Sequence, residues 1–220
     1  KQANVENEKF LKEEMEGIVK KFTVKIDSIV KKGNVVNVIR EIAEKKHSDL
    51  IIMGMKGKGE SNSKFGSTTT AMINETDIPL LIIPKKANYQ TIDTITLASD
   101  FSHEKLLSNF PILEKMIERF DPFMQILNVQ KKNSKLTAKF IANKMSTNLM
   151  WDKYNHSFNI IERDDIEEGI NKFLKNHPTD LLIMIAKKRN FITKIIEPSQ
   201  YQKDDLSNKN NLIGSTSRSC

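Results

Sequence analysis

Cysteine, histidine and long apolar runs are scarce in this sequence. The only cysteine is Cys220, so no intrachain disulfide can form and nothing demands an oxidising compartment. The four histidines lack the spacing of zinc ligands, and we expect no metal site. No apolar stretch approaches the roughly 20 residues that a membrane-spanning helix needs, and the polar residues 1–9 do not resemble a signal peptide. We therefore predict a cytoplasmic protein with no membrane partner.

The charge is positive but is not organised for nucleic-acid binding. Thirty-five Lys and Arg residues against 28 Asp and Glu give a net charge of +7. The lysines alternate with acidic residues, aromatic residues make up only 7% of the chain, and no RNP motif or zinc-finger spacing is present. We therefore predict a solvated, lysine-rich surface and no nucleic-acid partner.

Helical and strand patterns alternate in the first part of the chain. Apolar residues at steps of three and four indicate helices, and short runs of β-branched or aliphatic residues indicate strands. The predicted elements are a helix from Val5 to Phe22, a strand Thr23–Val30, a helix from Val35 to His47, a strand Asp49–Met53, a helix Ser67–Glu75 and a strand Leu80–Ile83.

The pattern restarts after a polar linker at residues 85–90. The elements predicted there are strands Thr91–Ala98, Phe123–Val129, Phe158–Glu162 and Asp180–Ile185, with helices Glu104–Phe120, Lys135–Tyr154 and Ile166–Lys175 between them. The acidic residues from Glu162 to Glu168 indicate a charged helix start rather than a metal site, because carboxylates suit the helix dipole there. The alternation of strands and helices predicts an α/β fold with a parallel sheet and right-handed crossovers.

An internal repeat divides the chain into two similar units. The hexapeptide Ser48-Asp49-Leu50-Ile51-Ile52-Met53 matches Thr179-Asp180-Leu181-Leu182-Ile183-Met184 at an offset of 131 residues (180 minus 49). We predict a first unit at residues 1–87, which lacks its N-terminal strand–helix–strand, and a degenerate second unit at residues 91–198. On the same count, about 35 to 40 residues of the first unit are absent before Lys1. We expect residues 199–220 to be a disordered or non-native tail with no strand equivalent to Leu80–Ile83.

A glycine-rich loop from Gly54 to Ser67 carries the candidate chemistry. Its glycines follow a buried strand, and open parallel sheets bind ligands at the carboxyl ends of their strands. Gly66-Ser67-Thr68 then begins a helix, whose free N–H groups and dipole suit an anion. The segment does not match the P-loop motif GxxxxGK[ST], because Glu60 occupies the position of the lysine. It does not match the dinucleotide-binding motif GxGxxG either, because Asn62 occupies the position of the third glycine. Composition alone does not decide between a flexible surface loop and a phosphate-binding site.

The loop and its flanks resemble the universal stress protein family. The resemblance rests on DLIIMG (residues 49–54), Gly57, Gly66-Ser67 and the strand IPLLIIP (residues 78–84), and it extends over about residues 1–198. ATP-binding members of that family carry G-x2-G-x9-G-(S/T), and the last gap here is eight residues, 58 to 65. The resemblance implies two tandem Rossmann-like units of the adenine nucleotide alpha hydrolase type. It also implies ATP or AMP as ligand.

Carried onto this sequence, the family pattern places the phosphate and ribose side of the site at Met53, Gly54, Gly57, Gly66, Ser67 and Thr68. In the second unit Asp100 matches the family's adenine-side aspartate, but Ile185 and the three residues after it replace the glycines. Two roles for Asp100 remain open: it binds adenine, or it caps the following helix.

Two functions are compatible with these patterns. The resemblance implies a stress-response regulatory protein that binds an adenine nucleotide. The degenerate second unit and the shortened loop motivate the alternative of an interaction scaffold without nucleotide. The sequence places no general base or metal carboxylate convincingly near the loop, so we predict that the protein is not an enzyme. The resemblance also implies a homo-oligomer, or intramolecular pairing of the two units.

Overall fold

The computed structural model describes residues 2–54, 67–84, 87–88, 91–101, 110–132, 138–185 and 211–215. The chain divides into two units, Lys1–Ile42 and Ala43–Cys220, which are described separately. This division does not coincide with the predicted repeat units, which stay a prediction. Among the described residues, none of the helices combines the length and the apolar character that crossing a membrane requires.

Two helices characterise the first unit. Helix α1 spans Gln2–Val19, and helix α2 spans Val35–Lys45 and continues into the second unit. Both helices were predicted and are confirmed. The Asn34 side chain accepts a hydrogen bond from the Asn37 N–H at 3.2 Å, and this cap starts α2. Gly33, at φ 147°, turns the chain immediately before the cap.

The described residues of the second unit form a seven-stranded sheet and four further helices. The strands are β1 (Ile51–Gly54), β2 (Leu80–Ile83), β3 (Thr94–Ala98), β4 (Phe123–Gln130), β5 (His156–Glu162), β6 (Leu181–Ile185) and β7 (Asn211–Ser215). The helices are α3 (Ser67–Glu75), α4 (Pro111–Phe120), α5 (Ala138–Trp151) and α6 (Ile166–Asn176). The strand order is β1-β2-β7-β6-β3-β4-β5. The alternating strands and helices confirm the predicted α/β class.

The sheet has two parallel parts that run in opposite directions. β1 is parallel to β2, and β7, β6, β3, β4 and β5 are parallel to one another. β2 and β7 join the two parts as an antiparallel pair, with Leu81 opposite Ile213. The carboxyl ends of β1 and β2 therefore lie at the sheet edge opposite to the carboxyl ends of the other five strands.

The core of the second unit lies between β3, β4 and β6 and the helices packed on them. Ile95 and Leu97 of β3, Met124 and Ile126 of β4, and Trp151 at the end of α5 are buried together. At the start of α6, the Asp165 carboxylate accepts the Glu168 N–H at 2.8 Å. Asp165 therefore caps this helix, and the acidic cluster lies at a helix start, as the sequence predicts.

Two predictions about strands are wrong. The segment Thr23–Val30 has the β-branched composition of a strand but forms none. Its counterpart in the repeat is β5, which pairs with β4 over its whole length, whereas no described strand is available to residues 23–30. Conversely, the tail contains β7 at Asn211–Ser215. A strand ladder uses main-chain groups, so this short segment can pair with β2 and β6 despite the polar sequence around it.

Candidate functional site

The candidate site of the first repeat begins at the carboxyl end of β1. Met53 lies opposite Ile82 and Gly54 opposite Ile83 in the parallel ladder of β1 and β2. The Met53 side chain is half-buried, and Gly54 is exposed. In the described part of the chain, a Cβ added at Gly54 would have no heavy atom within 4 Å. The end of β1 therefore has open space over its main chain.

Helix α3 supplies the second element of this site. It connects two neighbouring parallel strands, so its N-terminus lies at the edge where β1 ends. Met72 and Ile73 are buried and anchor the inner face of the helix. Ser67, its first residue, is exposed and Thr68 is half-buried. The first turn has no acidic residue, so no carboxylate there competes with an anion for the free N–H groups.

The predicted loop residues between these two elements are not all described. Gly57 and Gly66 lie within residues 55–66, outside the described part of the chain. The structure thus brings Met53, Gly54, Ser67 and Thr68 to one edge of the sheet through the β1–α3–β2 connection.

Asp100 lies at the opposite edge of the sheet. It is exposed and follows β3, which runs antiparallel to β1. The chain leaves β3 toward β4 on one side and returns to β6 on the other, so Asp100 stands at a topological switch point. Asp100 therefore cannot complete the site formed by Met53, Gly54, Ser67 and Thr68. The start of the helix that Asp100 was predicted to cap lies outside the described residues.

A network of hydrogen bonds fixes the turn that carries Asp100. The Phe101 N–H donates to Ser99 Oγ at 3.0 Å, and the Ser99 N–H donates to the Leu127 carbonyl at 2.9 Å. Phe101 is buried and adopts a left-handed conformation with φ 58°. Together these contacts hold the turn against the end of β4.

Asn128 is a residue of this edge that the sequence reasoning missed. Its Nδ2 donates to the Ser99 carbonyl at 2.8 Å, and its buried Oδ1 has no partner among the described groups. Asn128 thus positions Ser99 and the turn that carries Asp100. The signal was present in the sequence, since a polar Asn interrupts the apolar run from Ile126 to Val129, and a buried polar side chain in a strand requires a hydrogen-bonding reason.

Among the described residues, no three His, Cys, Asp or Glu side chains converge as metal ligands. A surface ion pair joins Lys153 Nζ to Glu114 Oε1 at 2.8 Å. The hydrogen bond from Lys153 lowers the pKa of Glu114, and the same bond raises the pKa of Lys153. Both residues lie on or next to the helices α4 and α5, outside the candidate site.

Comparison with known proteins shows which family model and which solved structures this chain resembles. Residues 2–84 match the model of the Universal stress protein family. A universal stress protein from Archaeoglobus fulgidus DSM 4304 has a similar structure, with a TM-score of 0.63 and 13% identity over 87% of this chain and 68% of that chain. A protein of unknown function from Pseudomonas aeruginosa PAO1 superposes with a TM-score of 0.64 and 10% identity, over 96% of this chain and 77% of that chain. At these identities the likeness shows the fold alone. No curated protein sequence matches the chain.

Proposed function

We propose, from the match of residues 2–84 to the model of the universal stress protein family, that this chain is a stress-response regulatory protein that binds an adenine nucleotide, ATP or AMP. The nucleotide's phosphates would lie at the carboxyl end of β1. The observation that supports this proposal most directly concerns two exposed residues. Gly54 ends the strand β1, and Ser67 begins α3, the next described helix.

The chemistry of these two residues suits a phosphate. A glycine at a strand end allows close approach of a ligand to the main chain, and the added-Cβ position at Gly54 is open in the described residues. The first turn of α3 offers main-chain N–H groups and the positive end of the helix dipole. The hydroxyl of Ser67 can donate to a phosphate oxygen. Binding of this kind needs no general base, so a regulatory role fits the site better than catalysis.

Substitutions at Ser67 test the proposal with little risk to the fold. Ser67→Asp places a carboxylate at a helix N-terminus, where it stabilises the helix by about 0.3–1 kcal/mol but repels a phosphate. Ser67→Asn keeps a polar side chain without the charge. We expect calorimetric titration of the full chain with ATP and AMP to show binding for wild type and Ser67→Asn, and at least a tenfold loss of affinity for Ser67→Asp.

A matched pair of glycine variants provides the control. An added Cβ atom meets no heavy atom within 4 Å at Gly54 or at Gly17 of α1, in the described part of the chain. Gly54→Val should abolish binding while Gly17→Val leaves it unchanged. Absence of binding by the wild-type chain at millimolar nucleotide would contradict the proposal. Equal affinities for Ser67→Asp and wild type would place the nucleotide elsewhere.

One observation favours the scaffold alternative. β2 and β7 continue the sheet across the two parallel parts within one chain, through main-chain pairing. If the wild-type chain binds no nucleotide, an interaction scaffold of the same fold is the function that this pairing supports.

A further inference from the structure

The outer face of α5 carries an uncovered apolar stripe. Ile141, Met145 and Leu149 follow one another at steps of four residues, so they lie on one face of the helix. Their exposed fractions are 48%, 65% and 74%. The other face of α5 packs in the core through Phe140 and Trp151. Single exposed apolar residues are ordinary, but three large ones in a row on the solvent side of a helix are a feature of interaction surfaces.

The stripe is symmetric about its central residue. Ile141 lies four residues before Met145, and Leu149 lies four residues after it. When two copies of α5 pair antiparallel about a two-fold axis at Met145, each Ile141 lies level with Leu149 of the second copy. The two Met145 side chains then meet each other at the axis. Each copy therefore offers an apolar side chain to every apolar side chain of the other.

Asp152 continues the stripe but does not suit its own helix. It directly follows the last residue of α5 and stands seven residues, about two helical turns, after Met145. It is exposed and makes no ion pair with another described residue. The C-terminus of a helix carries partial negative charge, so a carboxylate at this end is unfavourable. Nothing within the described part of the chain compensates this charge.

Antiparallel pairing would give Asp152 a favourable neighbour. The position level with it in the second copy is Ala138, which stands seven residues before Met145 and begins α5. The free N–H groups and the positive end of the helix dipole lie there. The sequence around this helix start is also basic, with no acidic residue from 131 to 139 and lysines at 131, 132, 135 and 139. A parallel pair would instead bring the two Asp152 carboxylates together.

We propose that the face of α5 formed by Ile141, Met145, Leu149 and Asp152 is an interface at which two copies of this chain pair antiparallel. The two stripes cover each other, and each Asp152 lies at the start of the other copy's α5. The contact uses a helix face and involves no strand edge of the sheet. Nucleotide binding is not a premise of this proposal.

The size of the contact sets the expected affinity. It is confined to one pair of 14-residue helices, and we expect it to bury less than the roughly 1,200 Å² at which stable interfaces begin. The dimer should therefore be reversible, with a dissociation constant of about 10–100 µM.

An anionic lipid surface fits this face less well than a second copy. Residues 131–153 contain six lysines and one aspartate, and basic amphipathic helices can lie on such surfaces. However, the aspartate stands on the apolar face itself, where anionic headgroups would repel it. Two of the lysines are also already paired, Lys132 with Asp164 at 4.0 Å and Lys153 with Glu114 at 2.8 Å.

Sedimentation equilibrium of the full chain without nucleotide tests the proposal. We expect wild type to form dimers as its concentration rises over about 5–500 µM. Met145→Glu places two carboxylates at the two-fold axis and should weaken the dimer at least about tenfold, because like charges would meet there. Ile52→Glu on β1 is the matched control, since Ile52 is 63% exposed and Met145 is 65% exposed, and it should leave the dimer unchanged. Circular dichroism checks that both variants fold.

Two further measurements establish the orientation of the helices. Asp152→Asn should weaken an antiparallel dimer at least about twofold by removing the attraction to the second helix, whereas it would strengthen a parallel one. The second measurement is oxidative cross-linking in a Cys220→Ser background, which removes the only native cysteine. A mixture of Ile141→Cys and Leu149→Cys chains should cross-link faster than either variant alone.

Four results would overturn the proposal. The first is a wild-type chain that stays monomeric throughout the concentration range. The second is a dimer that Met145→Glu and Ile52→Glu weaken equally. The third is a dimer that Asp152→Asn strengthens, or in which Ile141→Cys cross-links with itself faster than with Leu149→Cys. The fourth is a monomeric wild-type chain that binds phosphatidylglycerol vesicles and loses this binding in Met145→Glu, because a lipid surface would then be the occupant.

Discussion

The carboxylate of Asp180 accepts the main-chain N–H of Thr94 across 2.9 Å, and the same oxygen accepts the N–H of Asp93. The carboxylate therefore joins the residue before β6 to the first residue of β3. Since β3 lies between β4 and β6, this contact fixes the start of the central strand of the second repeat.

Replacement of Asp180 by alanine should destabilise the second unit. The substitution leaves two main-chain N–H groups without their acceptor, and hydrogen bonds to charged groups contribute about 1.5–3 kcal/mol each at most. We expect a loss of about 2–3 kcal/mol in the free energy of unfolding, measured by urea denaturation.

The matched control is Asp49→Ala in the first repeat. Asp49 makes no hydrogen bond to the described residues, so its removal should change stability by less than about 0.5 kcal/mol. Equal losses for the two variants would show that the carboxylate contact is not what stabilises β3.

Two helical glycines should respond to alanine with opposite signs. A Cβ at Gly169 of α6 would lie 2.5 Å from Val129 Cγ1 of β4, whereas a Cβ at Gly17 of α1 would meet nothing within 4 Å in the described residues. Gly169→Ala should destabilise by about 1–3 kcal/mol because the helix and the strand must separate or Val129 must change rotamer. Gly17→Ala should stabilise its helix by up to about 1 kcal/mol. Thermal unfolding followed by circular dichroism measures both, and a stabilising Gly169→Ala would show that the packing of α6 on β4 is looser than the structure indicates.

The ion pair of Glu114 and Lys153 should give a small, pH-dependent contribution to stability. The hydrogen bond from Lys153 lowers the pKa of Glu114 in the folded chain. A lowered carboxyl pKa stabilises the fold above the pKa of the unfolded state, and the contribution is lost as the pH falls through the folded pKa. The difference in melting temperature between wild type and Glu114→Gln should therefore be present at neutral pH and disappear in acid. It should also shrink in about 1 M salt, because exposed charges are screened. Glu118→Gln, on the same helix α4, is the control. A difference that grows in acid would contradict the sign of the shift.

Several parts of the fold follow from local patterns in the sequence. The run from Leu50 to Met53 and its repeat at Leu181 to Met184 are short and continuously apolar, and both form strands, β1 and β6. The start of α3 at Ser67 follows from the end of the glycine-rich segment. These features are decided by residues that lie close together in the chain.

Other parts depend on distant partners and were not predictable. Thr23–Val30 has strand composition but no described neighbour with which to pair, and β7 has little strand composition but lies between β2 and β6. The pairing of β7 with β2 also sets Gly54 and Asp100 at opposite edges of the sheet. Local composition does not contain that information, because main-chain pairing across a sheet is decided by which edges remain open.

A proline in β7 should separate the two parallel parts of the sheet. Ile213 lies opposite Leu81 of β2 on one side and Ile183 of β6 on the other. Proline has no N–H, so Ile213→Pro removes a ladder hydrogen bond and also restricts the preceding residue. In hydrogen exchange of the full chain we expect the amides of Leu80–Ile83 to lose protection at least about tenfold.

The amides of β4 and β5 serve as an internal control, because β7 pairs with neither of them, and their exchange should be unchanged. Protection of β2 that survives the proline would show that β2 does not depend on β7. Loss of protection throughout β3, β4 and β5 as well would instead show that β7 is required for the whole sheet rather than for the junction of its two parts.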